Sequence, residues 1–170
     1  VEVAAAMGAQ VIAAASSPEK LALARALGAS YEVCYREADL YAEVSAIAGK
    51  EGVNVVFDPV GGDLYESAFR TLGWGGRYTI IGFAGGGVPQ IPANRLLVKN
   101  RKAVGFVLMY YRRFKTDKLA QTTTELMQLV LDGKLAARPG KSVPLAEAGP
   151  VIDTFFNREA VGNTIVTLKP

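Results

Sequence analysis

The chain is 170 residues long and 50% hydrophobic, with 18 glycines, one cysteine, no histidine and a formal net charge of +3. That is enough for one domain with its own core and too apolar for disorder; no apolar run reaches the length of a membrane span, and the opening residues lack the layout of a secretory leader, so a cytoplasmic protein with no membrane association is expected. The lone Cys34 excludes an internal disulfide, the lack of histidine excludes the usual zinc clusters, and 19 basic against 16 acidic residues suit an anionic small molecule rather than nucleic acid.

In chain order, "VEVAAAMGAQ" (1–10) reads as the closing turns of a helix. "QVIAAA" (10–15) is a strand, and the helix after it has Ser17 as a cap, Pro18 in its first turn and Gly28 as its stop. "YEVCY" (31–35) is the next strand, with Cys34 as a buried strand residue rather than a reactive thiol. A helix opening at Asp39 puts Leu40, Val44 and Ile47 on one face and ends at Gly49. "VNVVF" (53–57) is a continuous apolar strand, expected to be buried on both faces. "DLYESAFRTLG" (63–73) carries Leu64, Ala68, Phe69 and Leu72 in helical register; "GRYTIIG" (76–82) is a strand, "PANRLLVKN" (92–100) a short helix and "AVGFVLM" (103–109) a strand. A helix from about Asp117 to Leu131 turns Leu119, Leu126 and Val130 inward, and a turn follows at Pro139 and Gly140. The last segment reads as a helix in "PLAEAGPVIDTFF" (144–156) and a strand in "NTIVTLK" (163–169).

Strands alternating with helices at this spacing predict an α/β fold, a Rossmann-type doubly wound parallel sheet with ligands at the carboxyl ends of its strands. The first strand of such a sheet and its glycine-rich turn are not recognisable in the chain, so they are expected upstream of Val1. "QVIAAA" and "VNVVF" would then have open edges, closed by drawing together, by a borrowed strand or by a larger body. Residues 1–142 are expected to form the partial dinucleotide-binding domain and 143–170 to return to a second, catalytic domain.

An acidic residue that holds the ribose of NAD is expected where this chain has Ser16 and Ser17. Small hydroxyls there leave room for the extra phosphate of NADP, and Lys20, one turn into the helix, adds a positive charge. The serines equally fit a plain helix cap, and Lys20 a solvated side chain.

At "VFDPVGGDLYESAFRTLGWGGRYTIIGFAGG" (56–86) the chain resembles the zinc-independent medium-chain dehydrogenase/reductases, specifically the cofactor-binding, carboxyl-terminal half of their quinone oxidoreductase branch. The resemblance extends from "AAAMGAQVIAAASSPEKLALARALGA" through "IPANRLLVKN" to "GNTIVTL". It implies NADPH as cofactor, hydride transfer to a quinone or another activated double bond, a dimer and no catalytic metal. It also implies that Lys20 and Tyr35 grip the extra phosphate beside Ser16 and Ser17, with Arg158 as a third contact. Val60 and Gly61 fall near the adenosine side, Ile81, Gly82 and Phe83 along the nicotinamide half, and Phe106 and Leu108 beside the carboxamide. The chain departs from relatives in having Asn163 after Gly162 where they often have lysine. Plain alternatives are a strand end for Tyr35, a turn cap for Asp58, backbone room for Gly82 and sheet filling for Phe106 and Leu108.

No residue is singled out as catalytic, because hydride passes directly between cofactor and acceptor and no triad is visible. Other readings are an enoyl-thioester reductase of the same superfamily and a non-catalytic nucleotide-sensing module on the same fold. Tyr111 and Lys115 have the Tyr-x-x-x-Lys spacing of short-chain dehydrogenases, but no serine lies between Ser67 and Ser142 to complete that chemistry. The apolar edge from Ala103 to Met109 is expected to pair with its own copy in a homodimer.

Overall fold

The computed structural model describes residues 1–136 and 140–168. The chain divides into two compact units, Val1–Glu32 with Glu125–Pro170, and Val33–Thr124. Three sheets order as β1-β2, β3-β4-β5 and β6-β7, where β1 is Ile12–Ala15, β2 Tyr31–Cys34, β3 Val53–Asp58, β4 Leu72–Ile80, β5 Lys102–Gly105, β6 Lys141–Pro144 and β7 Thr164–Thr167. The β3-β4-β5 and β6-β7 pairings are all parallel, and together with the intervening helices they give the α/β fold of the Rossmann type.

In the first unit, α1 (Glu2–Ala6) precedes β1, and α2 (Pro18–Ala26) follows it. Pro18 opens α2 with its fixed φ, and Ser17 stands at the cap in extended conformation, φ −152°, without bonding the helix amides through its side chain. Gly28, at φ +95°, closes the turn; a Cβ there would come within 2.9 Å of Ala5 Cβ, so glycine is required both by the conformation and by the approach of α1. Ala13, Leu21 and Val143 are this unit's buried apolar side chains. α8 (Ala148–Phe156) links β6 to β7, with Lys141 opposite Thr164. The strand β6 has no counterpart in the sequence reading, and Pro139 lies outside the described residues.

In the second unit, α3 (Leu40–Ala48) starts at Asp39, whose carboxylate accepts from the Ala42 amide at 2.7 Å. Leu40 and Val44 are buried and Ile47 is half-buried. The core beneath the sheet is Tyr65, Phe69, Leu72 and Tyr78, with Phe69 and Tyr78 fully enclosed. Tyr65 meets Tyr78 edge-on, centroids 5.5 Å apart, and Phe69 packs 5.8 Å from Tyr78; such pairs contribute about 0.5–1.5 kcal/mol each beyond area burial. The helix α4 (Leu64–Arg70) thus turns Tyr65 inward rather than Leu64, and Leu72 reaches the core as the first residue of β4.

Four expectations change. β4 begins at Leu72, not Gly76, because "LGWGG" continues the strand through an irregularity opposite Val53 and Val55. β3 is not covered on both faces: Val55 and Phe57 are 47% and 68% exposed, since among the described residues this edge strand pairs with β4 alone. β5 stops at Gly105 rather than Met109; the Phe106 amide still donates to the Ile80 carbonyl, where β4 ends, and past it there is no β4 backbone left to pair with. The short helix expected before β5 is α5 (Ala93–Leu97), and Leu108 and Met109 open α6 (Leu108–Phe114) after β5. In α7 (Thr116–Leu131), Leu119, Leu126 and Leu129 are half-buried while Val130 is exposed. Among the described residues β1 pairs with β2 and β3 with β4, in separate sheets. Among the described residues no helix is long and apolar enough to cross a membrane.

Candidate functional site

In the second unit, β3 and β4 run parallel with Asp58 opposite Ile80, so the loops that follow them leave the sheet side by side. These loops are zipped together by backbone bonds. The amides of Ile81, Ala84 and Gly85 donate to the carbonyls of Asp58, Pro59 and Val60 at 2.9, 3.1 and 2.6 Å, and that of Gly62 donates to Gly87 at 3.0 Å. Gly61 adopts φ +59°, and a Cβ on it would come within 3.1 Å of the Gly87 carbonyl and 3.3 Å of the Phe83 ring. On Gly85 it would meet the Val60 carbonyl at 2.7 Å, which leaves no room for any side chain.

Asp58 anchors the first loop. One carboxylate oxygen accepts from the amides of Val60 and Gly61 at 2.7 and 2.9 Å, and the other accepts the phenol proton of Tyr78. The turn-capping role expected of Asp58 is present; its buried partner, twenty residues away on β4, was not anticipated. Burial, and then the Asp58 carboxylate beside it, push the Tyr78 phenol far above its ordinary range.

Val60, Gly61, Ile81, Gly82 and Phe83 are therefore brought together at the carboxyl ends of two strands, where open parallel sheets bind ligands. A Cβ on Gly82 would stand 3.3 Å from the Pro59 carbonyl, a tight contact that a small shift of the backbone would relieve. Phe106 joins β4 by donating its amide to the Ile80 carbonyl, and its ring packs tilted against that of Tyr111, centroids 5.2 Å apart. Leu108 lies two residues on, 58% exposed, in the first turn of α6 rather than on the sheet. Tyr35 follows β2 in a half-buried turn.

In the first unit, Ser16 directly follows β1 and is buried. The Lys20 ammonium donates to Ser16 Oγ at 3.3 Å and to the Arg158 carbonyl at 2.5 Å. An ammonium has three donors, so these bonds hold Lys20 in place and leave one N–H for another acceptor. Ser17 does not cap α2; its hydroxyl bonds Glu19, which holds that carboxyl below its usual range. Arg158 ends the turn after α8 at φ +60°, the left-handed conformation in which helix ends are commonly closed. Ser16, Lys20 and Arg158 thus converge, 138 residues of sequence separating the last two. Hydroxyl, ammonium and the amino end of α2 together favour an anion. No group of three or more His, Cys, Asp or Glu placed to hold a metal occurs among the described residues.

Comparison with known proteins gives a consistent picture. The family described as zinc-binding dehydrogenases matches residues 1–125. Quinone oxidoreductase-like protein 2 of Bos taurus is 36% identical over 161 residues, which cover 95% of this chain and 46% of that protein. A solved quinone oxidoreductase of Pseudomonas syringae superposes with a TM-score of 0.85 at 27% identity, over 97% of this chain and 51% of the other. That of Escherichia coli, solved with NADPH, gives 0.84 at 26% identity over the same shares. The chain therefore spans about half the length of the relatives it matches.

Proposed function

We propose that this chain, which belongs to the zinc-binding dehydrogenase family, is the cofactor-binding part of an NADPH-dependent oxidoreductase that passes hydride to a quinone or another activated double bond. The observation that carries this reading is the Ser16–Lys20–Arg158 cluster at the end of β1. The Lys20 ammonium, held by the Arg158 carbonyl, and the Ser16 hydroxyl are donors that fit a phosphate on the adenosine ribose, and the Escherichia coli relative solved with NADPH supports the same choice.

In this reading Lys20 offers its remaining N–H to the phosphate, Ser16 and Ser17 offer hydroxyls, and Arg158 and Tyr35 add further contacts. Val60 and Gly61 face the adenosine side, Ile81, Gly82 and Phe83 the nicotinamide half, and Phe106 and Leu108 the carboxamide. NADPH, when bound, supplies the hydride; the protein orients it and excludes water, with no covalent nucleophile. We assign residues 1–142 to the dinucleotide-binding domain, residues 143–170 to a segment that returns to the catalytic domain, and the protein to the cytoplasm. The outer edge of β5, unpaired among the described residues, is assigned to a two-fold contact between copies, which a full-length protein that runs as a monomer at micromolar concentration would exclude.

The test is NADPH oxidation by the full-length protein with a benzoquinone, alongside NADH and a crotonyl thioester. Lys20→Glu should lower kcat/KM for NADPH by about 100-fold and leave NADH nearly unchanged, as loss of a charge-assisted bond plus repulsion requires. A native preference for NADH, or indifference to the substitution, overturns the cofactor assignment. Turnover of the thioester but not the quinone moves the acceptor to the enoyl class.

A further inference from the structure

The pair Asp58 and Tyr78 sits where the core of the second unit meets its ligand-facing loops. Tyr78 belongs to the aromatic core, packed between Tyr65 and Phe69. Its hydroxyl ends on Asp58, a buried polar residue that closes β3. Asp58 in turn takes the amides of Val60 and Gly61, and the backbone oxygens of Asp58, Pro59 and Val60 take the amides of Ile81, Ala84 and Gly85. A chain of bonds therefore runs from a fully enclosed phenol to both loops.

We infer that Asp58 and Tyr78 are a positioning pair, which sets the Val60–Gly61 turn and the Ile81–Phe83 loop in their binding shape before a dinucleotide arrives. The role rests on the proposed dinucleotide site. It also assigns a mode of contact: the Val60 and Gly61 amides are spent on Asp58, so this turn meets the cofactor by shape and not by donating those two N–H groups. Shape already in place removes the ordering cost at binding, which is where such a pair acts on affinity. Neither residue touches the reacting atoms, so the chemical step should be little affected.

Tyr78→Phe keeps the ring in the core and removes only the hydroxyl. In the full-length protein without NADPH, amide exchange in segments 58–63 and 81–87 should become about 10-fold faster than in the wild type, while α3 is unchanged. KM for NADPH should rise about 10-fold, with kcat within about twofold. Asp58→Asn keeps an oxygen for the two amides and can donate to the Tyr78 oxygen, so it should stay within about threefold of the wild type, whereas Asp58→Ala should behave like Tyr78→Phe or worse. The comparison of Asn with Ala decides the matter if Tyr78→Phe does not fold. Unchanged loop exchange in Tyr78→Phe, wild-type loops protected only once NADPH is added, or a fall in kcat at constant KM would each overturn the inference. Failure of the full-length protein to bind NADPH instead removes the cofactor reading, and the exchange comparison still decides whether the pair holds the loops.

Discussion

The loops after β3 and β4 and the turn between β1 and α2 both stand at the carboxyl ends of strands, yet they are held in opposite ways. The first region is fixed by shape: backbone bonds join two loops, glycines stand where a Cβ would crowd the facing loop, and one carboxylate is tied to a buried phenol. The second is fixed by charge: an ammonium with two oxygen partners, two hydroxyls and a nearby carboxylate. Shape acts on every dinucleotide alike, whereas charge separates a phosphorylated ribose from a plain one. The proposed function needs both, and they can be broken independently.

The largest effect is expected from Gly61→Ala. At φ +59°, an alanine pays the left-handed penalty of about 1–2 kcal/mol and also presses on the Gly87 carbonyl, 3.1 Å away. Denaturant unfolding should show a loss of about 2–3 kcal/mol. In binding, the substitution should weaken NADPH and NADH by the same factor, in contrast to Lys20→Glu. A selective loss of NADPH would mean that the two regions are not separable as shape and charge.

Legibility follows the same division. Ser16 and Lys20 lie four residues apart across a helix start, so their meeting is local and readable; Asp39 and Gly28 mark the start and stop of their helices for the same reason. The Lys20–Arg158 bond and the Asp58–Tyr78 bond are products of tertiary folding that no short window contains. Even so, an aspartate closing an apolar strand was a visible signal that it needed a buried partner, and a tyrosine two residues before the end of β4 was available to be one. Strand ends were missed where a neighbour sets them. β5 stops because β4 stops at Ile80, and β6 is a strand because β7, some twenty residues on, pairs with it. The glycines of "LGWGG" fall where the expected helix ends and before the expected strand starts at Gly76, but inside a parallel pair they carry the strand past an irregularity.

A smaller effect sharpens the shape side through pH. Burial and the adjacent Asp58 carboxylate raise the Tyr78 phenol well above its free value, so the native state holds that proton when the unfolded chain has lost it. Above pH of about 10 the unfolded state thus binds fewer protons, and stability falls as pH rises, by up to about 1.4 kcal/mol per pH unit for this one group. Below that pH the contribution is fully present. The stability difference between wild type and Tyr78→Phe, measured by denaturant unfolding, should therefore be constant near neutral pH and shrink above about pH 10. A difference that does not change with pH would show that the phenol ionises equally in both states.

The smallest effect concerns the charge side. Glu19 takes the Ser17 hydroxyl, and that bond lowers its carboxyl below the usual range, so it remains ionised at any neutral assay pH. It therefore places a negative charge beside the cluster and occupies a hydroxyl assigned to the phosphate. Both influences oppose a doubly charged group, though the residue's full exposure lets solvent and salt screen the repulsion. Glu19→Gln removes the charge and weakens the hold on Ser17. Affinity for NADPH should improve by about two- to threefold at low ionic strength and that for NADH should not change; the gain should fade as salt is added. Equal improvement for both dinucleotides would place Glu19 outside the phosphate's reach and leave Lys20 as the side chain by which charge discriminates between them.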